Sequence, residues 1–205
     1  MINLFHLFPI PVVKFSYSHD IDKELKYLEN INYNKQPLNY NLRSDNHYLL
    51  DEKELKNIKI FIQNSLDWCT EELYKCKQRF SITQCWSNIN PKGSQMHEHI
   101  HINSILSGVM YFKINKFSAQ IRFHDEIKHG IWLDGRSPSN YLSQKQDILC
   151  KPGDLLIFPS SIRHSVPTNN DEIDRISISF NTFSIDSFGH SKQPNELNIK
   201  KLLKE

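Results

Sequence analysis

The spacing of apolar residues changes at residue 79, and this change constrains the fold more than any other feature of the chain. Before it, between 55 and 75, apolar residues recur every three or four positions, which predicts a helix with one apolar face. Asp51 and Glu54 predict a capping box at the start of that helix. After residue 79, apolar and polar residues alternate, which is the period of a half-buried strand. Helices in the first third and strands in the rest predict an α+β chain, a sandwich or jelly roll with the helices packed on one sheet.

Turn residues divide the second part of the chain into several strands. The predicted strands span 79–90, 103–114, 119–125, 147–161 and 174–183, with turns at Asn90–Gly93 and Lys151–Asp154. In the first part, we expect an opening strand in residues 1–17, a helix in 20–31 and a loop in 31–48. The irregular stretch 126–147 has the length of a lid or a binding loop. We therefore expect a single domain, residues 1–205, with support elements in 1–78, a jelly-roll core in 79–185 and a tail in 186–205.

The composition bounds the class of protein. With 205 residues, 39% of them hydrophobic, the chain is long enough to bury a core. Its net charge is +2, and no run of Lys or Arg predicts a nucleic-acid surface. Pro9 and Pro11 break the apolar start of the chain, so we expect neither a signal peptide nor a membrane span there. The four cysteines show no CxxC spacing, which predicts buried, reduced thiols in a cytoplasmic protein: Cys69, Cys76, Cys85 and Cys150.

Histidines are concentrated in the segment MHEHIHINSILSGVMYF, residues 96–112, where His97, His99 and His101 occupy every second position. In a strand, these three imidazoles would share one face. A further histidine, His164, follows the apolar stretch LLIFP, and Arg175 opens the strand RISISF. Two histidines of one strand and one of its neighbour can occupy one face of an octahedral metal site and leave three positions open, as in non-haem Fe(II) oxygenases. A nearby arginine can bind a carboxylate through two parallel hydrogen bonds, so the set suits a 2-oxoacid with a second carboxylate.

Three sequence blocks resemble the motifs of the Fe(II)/2-oxoglutarate-dependent oxygenase superfamily. The blocks HIHINSILSGVMYF, GDLLIFPSSIRHSVPTN and RISISFN are most similar to its small microbial and viral branch, which has an H-x-H-x-N…SGVxY pattern. The opening LFPIPV and the segment WSNINPKG also fit that branch. The resemblance implies a double-stranded β-helix, the cupin-like jelly roll, and a dioxygenase that uses Fe(II), 2-oxoglutarate and O2. Such an enzyme would hydroxylate its substrate and release succinate and CO2.

The resemblance also implies roles for individual residues. His99 and His101 match the proximal pair of metal ligands, and His164 matches the distal histidine. Arg175 matches the residue that binds the distal carboxylate of 2-oxoglutarate, and Ser177 matches a serine that assists it. Tyr111 lies where prolyl-hydroxylase-like relatives have a tyrosine that binds the co-substrate. Three further residues are expected to border the substrate or the ligands: His97, Asn88 and Trp132.

The second ligand position departs from most of the superfamily, which has H-x-D or H-x-E there. His101 in place of a carboxylate leaves the site one unit more positive, and Zn(II) and Ni(II) also accept three imidazoles. Glu98 points to the opposite face of the strand, and a carboxylate from elsewhere would join only if the fold brought it close. Which two of the three neighbouring histidines bind the metal stays open, with His99 and His101 favoured over His97 and His99.

Two other functions fit part of the pattern. The stretch HEHIH is similar to the start of metallo-β-lactamase-type zinc hydrolase sites, although Ile102 and Asn103 follow where those sites have an Asp-His pair. A non-catalytic jelly-roll module with a structural metal is the other alternative. Loops form the rim of the pocket, so the pattern leaves both a small molecule and a peptidyl side chain open as substrates. Exposed sheet edges are compatible with a homodimer, and no feature indicates a membrane or nucleic-acid partner.

Overall fold

A computed structural model describes residues 2–5, 9–125, 143–190 and 192–203. The helices of this part of the chain are α1 (Asp22–Leu28), α2 (Lys56–Trp68) and α3 (Ile199–Leu202). Its strands are β1 (Val13–Ser16), β2 (Tyr33–Lys35), β3 (Leu42–Ser44), β4 (Ser81–Asn90), β5 (Met96–His99), β6 (Leu106–Lys113), β7 (Ile121–His124), β8 (Lys145–Ile148), β9 (Asp154–Pro159), β10 (His164–Val166), β11 (Arg175–Phe183), β12 (Ser187–Phe188) and β13 (Leu197–Asn198).

Two antiparallel sheets make up the jelly roll. The larger sheet has the order β1-β9-β6-β11-β4-β3-β2, and the smaller sheet has the order β5-β10-β7-β8. Strands β12 and β13 pair with each other near the end of the chain. The fold confirms the predicted α+β double-stranded β-helix, with the strands β1, β2 and β3 of the first 78 residues added to the larger sheet.

The larger sheet is covered on both faces, which explains the nearly continuous apolar sequence of β6. On one face lies α2, whose buried residues Ile58, Ile62 and Leu66 belong to the same cluster as Ile178 and Phe180 of β11. The other face packs on the smaller sheet. Buried residues of the two sheets meet there: Val109, Tyr111, Leu156 and Phe158 of the larger sheet, and Ile121 and Phe123 of the smaller one. Polar residues on this second face therefore point into the space between the sheets.

Gly108 in β6 is required by close packing. A Cβ atom at this position would lie 2.3 Å from Cζ of Phe180 and 2.7 Å from the carbonyl oxygen of Leu156. The ring of Phe180 occupies the space where a side chain would stand. Because Gly108 has no side chain, the ring of Phe180 can lie over β6, between the larger sheet and the helices, while β9 and β11 pair with β6.

The structure confirms both predicted turns. Gly93 and Gly153 adopt φ values of +83° and +87°, and each turn is closed by a backbone hydrogen bond, Ser94 to Pro91 and Asp154 to Lys151. The left-handed conformation explains why glycine follows the Pro-containing dipeptides at these positions.

Residues 31–48, predicted as a loop, instead form the hairpin β2–β3. Its strands have three residues each, so alternation is too short to be recognised in the sequence. The hairpin is held by pairing of β3 with β4 and by Tyr33, whose hydroxyl donates to the carbonyl of Leu28. Two backbone hydrogen bonds close its loop, Gln36–Asn41. The N–H of Gln36 donates to the carbonyl of Asn41, and the N–H of Tyr40 donates to the carbonyl of Gln36.

Two predictions for the first part of the chain were wrong in detail. The opening strand covers only Val13–Ser16, because the segment with Pro9 and Pro11 lacks the N–H groups that pairing needs. The capping box does not form: α2 begins at Lys56, after 3-10 turns at Leu49–Asp51 and Lys53–Leu55, with no side-chain cap. Burial of the leucines in those turns dominates, and the carboxylate of Asp51 binds Lys59 instead. A single π-helical turn, Cys69–Leu73, ends the helix.

No helix within the described residues is long and apolar enough to cross a membrane.

Candidate active site

Three histidines from two chain segments meet between the sheets. His99, at the end of β5, lies directly opposite His164, at the start of β10. His101 lies two residues beyond β5, where its backbone N–H donates to the carbonyl of Ser160 over 3.0 Å. One potential ligand nitrogen of each imidazole lies within 4.8 Å of the other two. The fold therefore joins the histidines of the first and second motif blocks.

The prediction that all three alternating histidines lie on one strand was wrong for His101. Strand β5 ends at His99, and Asn103, with φ +57°, turns the chain shortly afterwards. His101 still faces the cluster because its backbone is bonded to Ser160, which follows β9. A contact between distant segments, and not the pleat of one strand, thus places this imidazole.

Each of the three imidazoles is oriented by a hydrogen bond at Nδ1. The acceptors are the carbonyl oxygens of His97 for His99 (2.8 Å) and of Ile162 for His164 (3.0 Å), and Oδ1 of Asn181 for His101 (2.5 Å). These oxygens only accept, so Nδ1 carries the proton in each ring and Nε2 keeps a free lone pair. Metal-binding histidines are oriented in the same way, with the second nitrogen donating to an oxygen.

Burial keeps all three imidazoles neutral. Desolvation lowers the pKa of His99 and His101, and it lowers the pKa of His164 to about 3. A metal ligand has to be deprotonated, so the cluster is ready to bind a cation at neutral pH. No carboxylate of the described residues belongs to the group, so the donors are three imidazole nitrogens, a set that binds Fe, Ni, Cu or Zn.

A narrow inner cavity of about 60 Å³ connects the histidines with Arg175. Its wall contains the three histidines and Arg175, together with apolar side chains of both sheets such as Val109, Ile121, Phe158 and Val166. Because strand β11 places Arg175, Ser177 and Ser179 on one face, the polar face of RISISF is confirmed to point inward.

Arg175 is a buried cation without a carboxylate partner among the described residues. It is 3% exposed, and its Nη1 donates to Oδ1 of Asn90 (2.9 Å) and to Oγ of Ser177 (3.3 Å). Its Nε has no partner. Burying a charge without a counter-charge is unfavourable, so this guanidinium is well suited to an anionic ligand inside the cavity.

Tyr111 lies next to this guanidinium. The Cζ atom of Arg175 is 4.9 Å from the centre of the Tyr111 ring, and the Tyr111 hydroxyl is buried without a hydrogen-bond partner. Burial raises the pKa of this tyrosine, which therefore stays protonated and can donate. Arg175, whose Nε is a donor without an acceptor, borders the cavity that begins at the histidines. Tyr111 lies beside this guanidinium but is not among the residues that border the cavity. A molecule with a carboxylate at one end and metal-binding oxygens at the other, such as 2-oxoglutarate, fits this arrangement.

His99 and His101 also border a much larger outer cleft of about 1030 Å³. The outer cleft lies between the β2–β3 hairpin, strand β4 and the segment 96–103. It shares with the inner cavity His99 and His101, and also Trp86, Asn88 and Met96. The ring of Trp86 stacks on His101 with the ring centres 5.9 Å apart. A substrate in the outer cleft would thus approach the histidines from a space that Arg175 does not border.

The other predicted site residues fall in different places. His97 borders the outer cleft and is not part of the group of three, while Asn88 borders both spaces. Trp132 lies outside the described residues. Glu98 lies on the opposite face of β5, as predicted, where it pairs with His124 and Arg163. No described carboxylate stands where a metallo-β-lactamase-type site has its aspartate, so that alternative gains no support.

Several carboxamides of the site were missed in the sequence. Asn181 holds His101, Asn90 holds Arg175, and Oδ1 of Asn39 accepts from Nδ1 of His97 over 3.1 Å. The signal for Asn181 was present, because it continues the alternate positions 175, 177 and 179 of β11. Asn90 and Asn39 carry no such signal, since their roles depend on strand pairing and on the position of the hairpin.

Comparison with known proteins agrees with the geometry. Residues 84–181 match the model of the family described as "Putative 2OG-Fe(II) oxygenase". The matched segment contains the three histidines, Arg175 and Asn181. A comparison with curated proteins gives no match.

Solved structures of oxygenases share the fold. A prolyl-4-hydroxylase from Pseudomonas putida has a TM-score of 0.58 at 13% identity, over 86% of this chain and 95% of that chain. HygX from Streptomyces hygroscopicus, with nickel and 2-oxoglutarate bound, has a TM-score of 0.62 at 12% identity, over 84% and 82%. A prolyl hydroxylase from Trichoplax adhaerens, in complex with a peptide fragment of hypoxia inducible factor, has a TM-score of 0.59 at 15% identity, over 84% and 83%.

At identities of 15% or less, the structural likeness establishes the fold alone. The family match adds a sequence similarity over residues 84–181, the part of the chain that contains the motifs. The histidine cluster, which could hold a metal ion, and the inward-facing arginine are compatible with the chemistry that the family name describes. Residues 84–181 therefore match the 2OG-Fe(II) oxygenase family, whose enzymes are oxidoreductases, and the described part of the chain shares its fold with solved oxygenases.

Proposed function

We propose that the protein is an Fe(II)- and 2-oxoglutarate-dependent dioxygenase that hydroxylates a substrate bound in the outer cleft. In this proposal His99, His101 and His164 are the iron ligands, and Arg175 binds the distal carboxylate of 2-oxoglutarate. Ser177 and Tyr111 complete the co-substrate site.

The observation that carries the proposal is the unpaired, buried guanidinium of Arg175 at the far end of the cavity that starts at the histidines. A structural metal site does not require a buried cation at this position, and neither does a zinc hydrolase site. A dicarboxylic 2-oxoacid bound to the metal accounts for both ends of the cavity at once.

The chain contributes orientation, charge and exclusion of water. The Nδ1 hydrogen bonds of the three ligands fix their rings, which is needed for a defined coordination geometry. Apolar residues around the cavity, among them Val109 and Phe158, exclude water from the co-substrate. When bound, the iron and 2-oxoglutarate supply the oxidising chemistry, with release of succinate and CO2.

The wide outer cleft accepts either a small molecule or a peptide. Solved structures of the same fold include HygX with hygromycin B bound and a prolyl hydroxylase with a peptide bound, so both classes of substrate occur on this scaffold. The cytoplasmic location and the homodimer stay predictions from the sequence.

The proposal is tested with anaerobic Fe(II)-loaded protein. Addition of 2-oxoglutarate should produce a metal-to-ligand charge-transfer absorption in the visible range, and succinate should form once O2 is admitted. His99→Ala removes an iron ligand and should abolish both signals, whereas His19→Ala, at an exposed histidine, should leave them unchanged. Tight zinc binding without the absorption would refute the proposal.

A further inference from the structure

The outer cleft contains an arginine, Arg43, that the proposed iron and co-substrate sites do not use. We propose that the substrate of this cleft carries an anionic group, a carboxylate or a phosphate, and that Arg43 binds this group. The inference rests on the proposed function, because it names the class of molecule that reaches the iron.

Strand pairing places Arg43 on the floor of the cleft. Arg43 of β3 lies directly opposite Asn88 of β4, which in turn lies directly opposite Ser177 of β11. Residues that are directly opposite point to the same face of a sheet, so Arg43 is on the face that carries Ser177 and Arg175. Two strand spacings separate Arg43 from Ser177, which is about 10 Å. The guanidinium therefore lies within one small molecule's length of the co-substrate site.

Arg43 is exposed and has no ion-pair partner among the described residues. The nearest acidic residue along its strand, Asp45, accepts a hydrogen bond from the side chain of Asn34 instead. Two other arginines differ, because Arg79 and Arg122 each bind an aspartate through two nitrogens. The donors of Arg43 are thus available to a ligand.

Apart from its histidines, the remaining described wall of the outer cleft is uncharged and combines polar and apolar side chains. It contains several carboxamides, among them Asn88, Asn103 and Asn181, and the aromatic rings of Tyr48 and Trp86. Carboxamides donate and accept hydrogen bonds equally well, and aromatic rings provide flat apolar contact. Such a wall binds the polar or aromatic body of a substrate without selecting its charge.

The described residues that border the cleft include a permanently positive side chain and no negative one. Among the described residues that border it, none has a carboxylate, whereas Arg43 is permanently charged. His97 adds an oriented imidazole, because Nδ1 donates to Asn39 and Nε2 remains available to the substrate. A cationic substrate would meet Arg43 without any compensating acid on this wall, so the cleft selects against it.

The test uses three naphthalene probes that differ only in their substituent: 2-naphthoate, 2-naphthyl phosphate and the neutral 2-naphthamide. Their binding to full-length protein, loaded with Fe(II) and saturating 2-oxoglutarate without O2, is measured by probe fluorescence. We expect at least one anion to bind about tenfold more tightly than the amide, and the better of the two identifies the anionic group as carboxylate or phosphate. Arg43→Gln should remove most of this difference.

Lys35→Gln is the matched control. Lys35 is an exposed cation on the same hairpin, but it pairs with Leu42 and so points to the face opposite Arg43. This variant should keep the preference for the anion. Equal binding of all three probes, no binding of any probe at millimolar concentration, or an Arg43→Gln variant within twofold of the wild type would overturn the inference.

The charge-transfer absorption of the same samples separates this inference from the proposed function. If the absorption with 2-oxoglutarate is missing but the Arg43-dependent preference for the anion is present, the proposed function fails and the anion site stands. If the absorption is present and the preference is absent, the dioxygenase stands and the anionic substrate is excluded.

Discussion

Replacing Arg175 by methionine is the most direct test of the co-substrate site. Methionine is a flexible, unbranched apolar side chain, so the variant fills much of the same space but removes the charge and all donors. In the wild type, Nη1 is occupied by Asn90 and Ser177, while Nε has no partner. The donors that remain free are those that a carboxylate in the inner cavity would use.

The expected loss of affinity follows from this count. A hydrogen bond to a charged group contributes about 1.5–3 kcal/mol, and truncation of one partner of a buried charge pair costs about 2–5 kcal/mol. With two such bonds to one carboxylate, Arg175→Met should weaken 2-oxoglutarate binding by about 3–4 kcal/mol, or roughly 10²- to 10³-fold. Arg175→Lys keeps the charge without the planar fork and should lose about tenfold.

The assay is an anaerobic titration of the Fe(II) protein with 2-oxoglutarate, followed by its charge-transfer absorption. Arg122→Met is the control, because Arg122 lies on the smaller sheet and binds Asp147. Without 2-oxoglutarate, Arg175→Met should change Tm little, since the relief of an unpaired buried charge offsets the two lost hydrogen bonds. A Kd within threefold of the wild type for Arg175→Met would refute the reasoning.

Three further predictions concern metal binding, packing and pH. Asn181→Ala should weaken metal binding about 10- to 100-fold, measured by chelator competition, because His101 loses the acceptor that orients it. Gly108→Ala should lower the free energy of unfolding by about 2–3 kcal/mol in urea, because the new methyl group overlaps the ring of Phe180. The metal-free protein should lose stability between pH 6.5 and about pH 3, and His164→Asn should flatten this dependence, because only the unfolded state protonates His164 in that range.

Each of these predictions has a matched control and a result that contradicts it. Ser107→Ala removes the other partner of Asn181 and should affect metal binding less; equal effects would contradict a specific role for the His101 contact. Gly93→Ala enters open space at φ +83° and should cost only backbone strain, about 1–2 kcal/mol. A Gly108→Ala variant that is destabilised less than this control would contradict the overlap with Phe180. A wild type and a His164→Asn variant with the same slope of unfolding free energy against pH would show that His164 does not titrate as described.

The alternating part of the sequence predicted which residues share a face, because a period of two fixes the face of every residue in a strand. Arg175 and Ser177 could be assigned to one face of β11 from RISISF alone, and the structure places that face between the sheets. The same pattern extends to Asn181, whose contact with His101 was nevertheless not predicted. The alternation shows on which face a residue lies, but the distance between His101 and Asn181 depends on how the segment after β5 packs against β11.

The parts that the sequence did not predict depend on contacts between distant segments. The carbonyl of Ser160 fixes His101 beyond the end of β5, and Asn39 of the β2–β3 hairpin orients His97. The capping box at Asp51 was locally consistent, yet burial of the neighbouring leucines pulled the chain into 3-10 turns. A capping box contributes about 1 kcal/mol, which is less than the burial of a single leucine.

The proposed all-histidine ligand set and Arg43 would act on a substrate in the same direction. With His101 as a ligand, as proposed, the loaded site would be one unit more positive than a site with a carboxylate in its place. Because the outer cleft is open to solvent, the dielectric constant of water, about 80, applies, and one unit charge about 10 Å away contributes about 0.4 kcal/mol, or about twofold in binding. Since Arg43 lies about two strand spacings from Ser177, an anion bound there would feel both charges. Loss of Arg43 should therefore reduce the preference for an anion and leave a smaller remainder, which would weaken further as the salt concentration rises.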